Sequence, residues 1–213
     1  MDKLLHGLSM LGIDEPEAKS NKLREYISEL ILFNPALKLV GEKSEEGIII
    51  RHILDSASAY GFFNAMTEKG DVVADLGSGA GLPGIVLAIL FPDREFALIE
   101  RMNRRAGFLR GVIAKLGLKN ASVIEKDIKG IDRKFSVLTC RAFHPVNDIA
   151  KSAIALLSDD GKALFYKGQR ANAEKELEAL SLSYSFDSII EPLKVPYLDE
   201  ERVLMIISDW RVK

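Results

Sequence analysis

The sequence predicts a doubly wound α/β fold, a Rossmann-like and mostly parallel sheet with helices on both faces and an antiparallel strand at one edge. An N-terminal helical extension precedes it. Three observations carry this expectation. From about residue 70 onward, short apolar runs alternate with amphipathic stretches, the pattern of repeated strand–helix units. Within that region, residues 72–84 read as a strand, a glycine-rich turn and a helix start. Ahead of it, residues 1–65 space their apolar side chains three and four apart, as helices do. The predicted division is therefore an extension over residues 1–65 and an α/β domain over residues 66–213.

The elements follow in order. Asp14 and Glu17 form a D-x-x-E start pattern with Pro16 in the first turn. Leu23, Ile27, Leu30 and Ile31 continue at helical spacing, and Asn34-Pro35 is expected to end the helix, because the residue before proline avoids the α region. Ser44 is placed to cap a next helix carrying Ile48, Ile49, Ile53 and Leu54 beside Arg51, His52 and Asp55, with Gly61 marking its end. Strands are predicted at 72–76, 95–100, 122–125, 135–140, 161–167, 183–191 and 203–208, and helices at 82–90, 104–116 and 146–157. Pro192, Pro196 and the turn-like Leu198-Asp199-Glu200 leave no room for a crossover helix, so the last two strands are expected to pair antiparallel at one edge.

Composition narrows the class. With 47% hydrophobic and 28% charged residues, the chain is an ordinary globular one that can bury a core. Its longest apolar runs, such as residues 85–91, fall far short of the roughly 20 residues of a membrane span. No signal peptide is visible, and a cytoplasmic protein is expected. A single cysteine, Cys140, leaves no partner for an internal disulfide or a cysteine metal site, and His6, His52 and His144 share no ligand spacing, so no metal is expected. Formal net charge is −2, yet residues 94–141 hold twelve Lys/Arg against five Asp/Glu. That basic island is either a solvated helix face or a patch for a polyanion.

The densest signal is Asp75-Leu76-Gly77-Ser78-Gly79-Ala80-Gly81-Leu82-Pro83-Gly84, at the carboxyl end of a predicted strand, where such sheets bind ligands. Gly79, Gly81 and Gly84 satisfy the dinucleotide pattern G-x-G-x-x-G, which alone is weak. Charge separates the readings. A dinucleotide sets a pyrophosphate against this turn, which Asp75 repels; S-adenosylmethionine brings an ammonium and a sulfonium, which Asp75 suits. Gly77, Gly79 and Gly81 also follow that aspartate at the G-x-G-x-G spacing typical of methyltransferases. Glu100, ending the second strand, is placed to accept both ribose hydroxyls of the cofactor.

Further pieces extend the match. They are Arg51-His52-Ile53-Leu54-Asp55-Ser56, Gly81-Leu82-Pro83-Gly84, Arg104-Arg105 with Phe108-Leu109-Arg110, Arg141-Ala142-Phe143 and Tyr166-Lys167-Gly168-Gln169. In the tail, Val195-Pro196-x-Leu198-Asp199-x-Glu201-Arg202 matches as well. In this order they resemble the bacterial small-subunit rRNA methyltransferase G family, also known as glucose-inhibited division protein B, along nearly the whole chain. Lys38-Leu39-Val40 stands where Asn-Leu-Thr is expected, and Cys140 where the family has Ser or similar.

The resemblance implies a Rossmann-like methyltransferase that uses S-adenosylmethionine to methylate N7 of a guanosine in 16S rRNA, free or in a small-subunit particle. It implies Gly77 and Leu82 lining the cofactor, Ile128 and Lys129 at its adenine, and Arg141 beside it. With the match, Arg104, Arg105 and Arg110 are assigned to RNA phosphates. Guanine N7 carries an exposed lone pair, so no base is expected among the catalytic residues and alignment supplies the acceleration. Cys140 as a nucleophile lacks the Pro-Cys element and reads better as a buried small side chain. Phe143 and Tyr166 are candidates for stacking on the target base. No stable protein partner is evident, and a monomer is expected. A nicotinamide-dependent oxidoreductase and a non-catalytic cofactor-binding RNA chaperone are the alternatives weighed.

Overall fold

The computed structural model describes residues 2–213. Asp2 opens helix α1 (Lys3–Met10), its carboxylate accepting from the Leu4 and Leu5 amides. Helix α2 (Pro16–Leu37) follows, but Asp14 does not cap it. Glu15 stands at the cap in a left-handed conformation, and the Asp14 carboxylate is taken by Lys19 at 2.7 Å and by the Tyr60 hydroxyl. Nor does Asn34-Pro35 end the helix, which runs on to Leu37. A proline removes only one amide donor, and so near the end the loss is small. The Asn34 side chain turns outward instead, accepting from Val40 N at 2.9 Å and donating to the Glu42 carbonyl at 3.4 Å.

Ser44 caps α3 (Glu45–Ile48) as expected, accepting from Gly47 N at 3.1 Å. The helix passes through a π turn (Ile49–Leu54) into α4 (Asp55–Ala57), then α5 (Tyr60–Met66). Gly61 is not the stop: the helix breaks earlier, at Ser58 and Ala59, and Gly61 lies inside α5.

The strands are β1 (Val72–Leu76), β2 (Glu95–Ile99), β3 (Ala121–Ile124), β4 (Phe135–Arg141), β5 (Leu157–Lys167), β6 (Tyr184–Pro192) and β7 (Val203–Val212). They form one sheet in the order β3-β2-β1-β4-β5-β7-β6. β1 to β5 are parallel, and β7 is antiparallel to both β5 and β6. The expected antiparallel pair is present, with β7 inserted inside β6. Helices α6 (Gly84–Leu90), α7 (Asn103–Leu116) and α8 (Val146–Leu156) connect the parallel strands. One helix, α9 (Arg170–Ser181), was not expected, because it buries only Ala173 and Leu180 and so shows almost no apolar period.

Strand alternation sends Val73, Phe96, Val137 and Leu164 to one face of the sheet and Ala74, Ala97, Leu138 and Phe165 to the other. The first face shares its core with Leu4, Tyr26, Leu30, Ile53 and Phe63 of the extension. The second is covered by α8 and α9 through Ile149, Ala153 and Leu180. Order reverses between β1 and β4, and the carboxyl ends of those two strands open the crevice in which such sheets hold ligands.

Candidate active site

At that crevice the chain leaves β1 through Gly77, Gly79 and Gly81, all with φ in the left-handed region (+68°, +56° and +93°). Side chains avoid this conformation, so the turn needs glycine. Ser78 fixes it locally, its amide donating to the Ile99 carbonyl at 2.9 Å and its hydroxyl to the Asp75 carbonyl at 3.0 Å. Glu100, buried at the end of β2, accepts from Gly79 N at 3.0 Å through one carboxylate oxygen and from Met102 N at 2.8 Å through the other. Each oxygen keeps a further lone pair for a ligand hydroxyl.

Gly77 of the turn, Glu100, Ile128, Lys129 and Phe143 line a cleft of about 490 Å³. The Asp127 carboxylate shapes its far wall by accepting from Lys129 N at 3.1 Å. Of the nine residues expected at the cofactor, Gly77, Glu100, Ile128 and Lys129 line this cleft. Asp75, Gly81 and Leu82 stand behind the turn. Asp75 is 1% exposed; it accepts from Gly84 N at 3.0 Å, and its other oxygen has no partner among the described residues. Burial pushes its carboxyl up to about 7. A Cβ on Gly81 would lie 2.6 Å from Ile85 and 3.1 Å from the Tyr26 hydroxyl, and Leu82 belongs to the apolar core. These residues shape the turn from below.

Arg141 faces a second cleft, of about 640 Å³, lined by Arg51, His52, Asp55, Lys167 and Arg202 among others. Its guanidinium donates to Asp55 Oδ2 at 2.7 Å and to the Arg51 carbonyl at 2.9 Å, and lies 3.1 Å from His52 Nδ1. Arg202 approaches the other Asp55 oxygen at 3.4 Å. Burial first, then Arg141 and Arg51, pushes His52 down to about 4, so its ring is neutral and Nδ1 accepts from Arg141. Glu176 is held by Lys167 at 2.7 Å and Glu42 by Arg51 at 3.4 Å. Burial pushes the Cys140 thiol up to about 12, which removes it as a nucleophile.

Residues 142–144 form the wall common to both clefts. Ala142 is left-handed (φ +50°), and the Phe143 ring lies so close to Gly77 that a Cβ there would sit 2.2 Å from it. Tyr166 is committed elsewhere: buried, it donates to the Ser56 carbonyl at 2.6 Å. The three arginines of α7 part company. Arg105 lines the first cleft, Arg104 donates to the Ala36 carbonyl at the end of α2 at 3.3 Å, and Arg110 pairs with Glu125 at 2.8 Å. The sequence offers His52 and Asp55 either as RNA contacts or as partners in a hydrogen bond within the helix or to the α/β domain, and Asp55 makes the last of these with Arg141; the roles of Lys167 and Arg202 are not legible in it. They lie in pieces that matched the family without saying what they touch.

The model of the family described as GidB, rRNA small subunit methyltransferase G, matches residues 19–205. The chain belongs to that family. Among its relatives named ribosomal RNA small subunit methyltransferase G, that of Treponema denticola is 37% identical, over 96% of this chain and 93% of its own length. That of Brachyspira hyodysenteriae is 36% identical over 97% and 98%. The fold is shared more widely. Precorrin-6y C5,15-methyltransferase from Geobacter metallireducens superposes with a TM-score of 0.55 at 16% identity, over 82% of this chain and 92% of that one. The tRNA (m1A58) methyltransferase TrmI from Aquifex aeolicus gives 0.54 at 16% over 72% and 68%. Family membership makes this rRNA methyltransferase an S-adenosylmethionine-dependent enzyme, and the oxidoreductase reading falls away. No helix among the described residues is long and apolar enough to cross a membrane.

Proposed function

We propose that this methyltransferase moves the methyl group of S-adenosylmethionine to N7 of a guanine in 16S rRNA, with cofactor and base in adjoining clefts. The observation that carries the reading is the common wall: residues 142–144 separate the cleft built on the glycine turn from the cleft built around Arg141. The first cleft fits the cofactor. Its volume of about 490 Å³ lies in the usual range of small-molecule sites, about 300–1,000 Å³. Glu100 offers a prepared carboxylate for ribose hydroxyls, and Ile128 with Lys129 supplies a half-apolar wall for the adenine. Asp75, Gly81 and Leu82 set the turn from behind, while Gly77 and Gly79 let a ligand approach the backbone. When bound, the cofactor supplies an electrophilic methyl group.

The second cleft suits an acceptor that needs no deprotonation. Among the described residues its carboxylates, Glu42, Asp55 and Glu176, are all ion-paired, and His52, pushed down to about 4 with its Nδ1 accepting from Arg141, is a poor proton acceptor. A group that must lose a proton would want one of them free. Guanine N7 does not, and the residues then serve by holding the base in line with the methyl group. Arg141 acts there from the acceptor side of the wall. Residues 66–213 carry the transferase domain in this reading, and residues 1–65 supply Glu42, Arg51, His52 and Asp55 to the acceptor cleft. Arg104, Arg105 and Arg110 meet RNA phosphates along α7, Arg110 at the cost of its Glu125 partner.

The test is methyl transfer from labelled S-adenosylmethionine to small-subunit RNA, and to the corresponding particle, both lacking the modification. Labelled 7-methylguanosine is the expected product. A different methylated nucleoside would discard the N7 assignment, and no transfer to either substrate would discard the catalytic reading itself.

A further inference from the structure

The glycine turn is gripped from three sides, and the third grip comes from outside the α/β domain. Asp75 holds the turn's exit through Gly84 N, and Glu100 holds its middle through Gly79 N. A further fixed group is the Ala80 carbonyl, which accepts from the Tyr26 hydroxyl of α2 at 2.7 Å. Tyr26 is fully buried, and its hydroxyl is also the atom that a Cβ on Gly81 would approach to 3.1 Å. Fifty-four residues of chain separate Tyr26 from Ala80, so no local turn geometry requires this bond.

Left-handed glycines on either side make this bond matter. With Gly79 and Gly81 at φ +56° and +93°, the backbone on either side of Ala80 adopts rotations that a substituted residue avoids, and within the turn the Ala80–Gly81 peptide is tied through its N–H, which donates to the Ser78 carbonyl at 2.7 Å. A buried carbonyl without a donor is costly, so the Tyr26 hydroxyl adds to that local bond by stabilising the orientation in which the carbonyl too is paired. Burial pushes the Tyr26 phenol well above its usual range, which keeps it a donor at every working pH. Neighbours keep the ring still: Leu23, Ile27 and Leu30 of the same helix are buried with it in the core on this sheet face.

We infer that Tyr26 is a positioning residue for cofactor binding, through which the docking of helix α2 sets the shape of the glycine turn. The inference rests on the reading of that turn as the cofactor cradle. In consequence, the extension and the cofactor report on each other: ordering the turn favours a docked α2, and a docked α2 favours the bound turn, by the same factor.

The experiment is calorimetric titration of S-adenosylmethionine into the full chain, with steady-state kinetics alongside. No binding by the unaltered protein would reject the cofactor reading on which this rests. Given binding, Tyr26→Phe keeps the ring and removes one buried hydrogen bond, so Kd and the cofactor KM are expected to rise about tenfold. The kcat at saturating cofactor and the RNA KM stay unchanged. Replacing Tyr26 by 4-aminophenylalanine, which retains a donor, restores the Kd. Ile27→Val, a packing change in the same helix, lowers Tm and leaves Kd alone. A Tyr26→Phe protein with lower Tm and unaltered Kd would overturn the inference, as would a loss confined to kcat. Should Tyr26→Phe fail to fold, hydrogen exchange on the unaltered chain decides: cofactor must slow α2 amides more than those of α9, and equal slowing overturns the proposal.

Discussion

The two clefts share a wall and are built by different means. On the cofactor side the shape is made by backbone: three left-handed glycines, amides pointed at Glu100, and a capping carboxylate at Lys129 N. The acceptor side is made by charged side chains meeting from distant segments. Asp55 from the extension, Arg141 from β4 and Arg202 from the loop before β7 converge there, and Lys167 pairs with Glu176 of α9. A backbone-built site tolerates little change in residue type at its turn. A side-chain-built site stands or falls as a network, because each buried charge depends on its partner.

That contrast can be broken by substitution. The largest effect is expected from Asp55→Ala, which leaves Arg141 and Arg202 facing each other without their shared carboxylate. Removing one partner of a buried ion pair costs about 3–5 kcal/mol, read by urea denaturation. S-adenosylmethionine affinity of the folded fraction should hold, and a parallel loss would show that the clefts are one unit. Next comes Gly77→Ala. Its φ of +68° costs an L-residue about 1–2 kcal/mol, and the new Cβ must displace the Phe143 ring. Cofactor Kd should rise on the order of tenfold or more by that strain. Thermal stability should fall less than in Asp55→Ala, and the reverse ranking would invert the comparison.

The smallest effect is a pH dependence with opposite signs on the two sides. Asp75 is raised by burial from 3.8 to about 7, so between those values the unfolded chain has released a proton that the folded chain keeps. Stability from this group is therefore lost as pH rises from about 4 to about 7. His52 is lowered from 6.5 to about 4, so in that window the unfolded chain binds the proton, and stability is lost as pH falls. Asp75→Asn should leave the His52 slope uncovered, making Tm climb more steeply between about pH 4 and 6.5. A flatter profile than that of the unaltered chain would contradict the buried, proton-retaining Asp75.

Much of this was legible in residue order, and the misses have causes. Strand–helix alternation and the glycine turn are local, so the parallel sheet and the cofactor cleft could be drawn from them. Asn34-Pro35 misled because the proline rule concerns one dipeptide, whereas here the Asn34 side chain bonds Val40 and Glu42 beyond the helix. Helix α9 escaped because so few of its residues are buried. Arg141 was expected beside the cofactor. Its side chain instead turns to Asp55, a choice set by where α3 and α4 dock.

The sequence by itself determined the seven strands in order and the helices joining the first five, the glycine turn with its left-handed backbone, and Glu100 at the end of β2. Those features need nothing beyond short-range sterics and periodic burial. Tertiary structure alone decided that Asp75 lies under the turn rather than facing a ligand, that Tyr26 reaches Ala80 across fifty-four residues, and that Asp55, Arg141 and Arg202 share one buried site. Such contacts depend on how the extension packs against the sheet, and the pattern of residues along a chain does not specify which distant side chains its core will bring together.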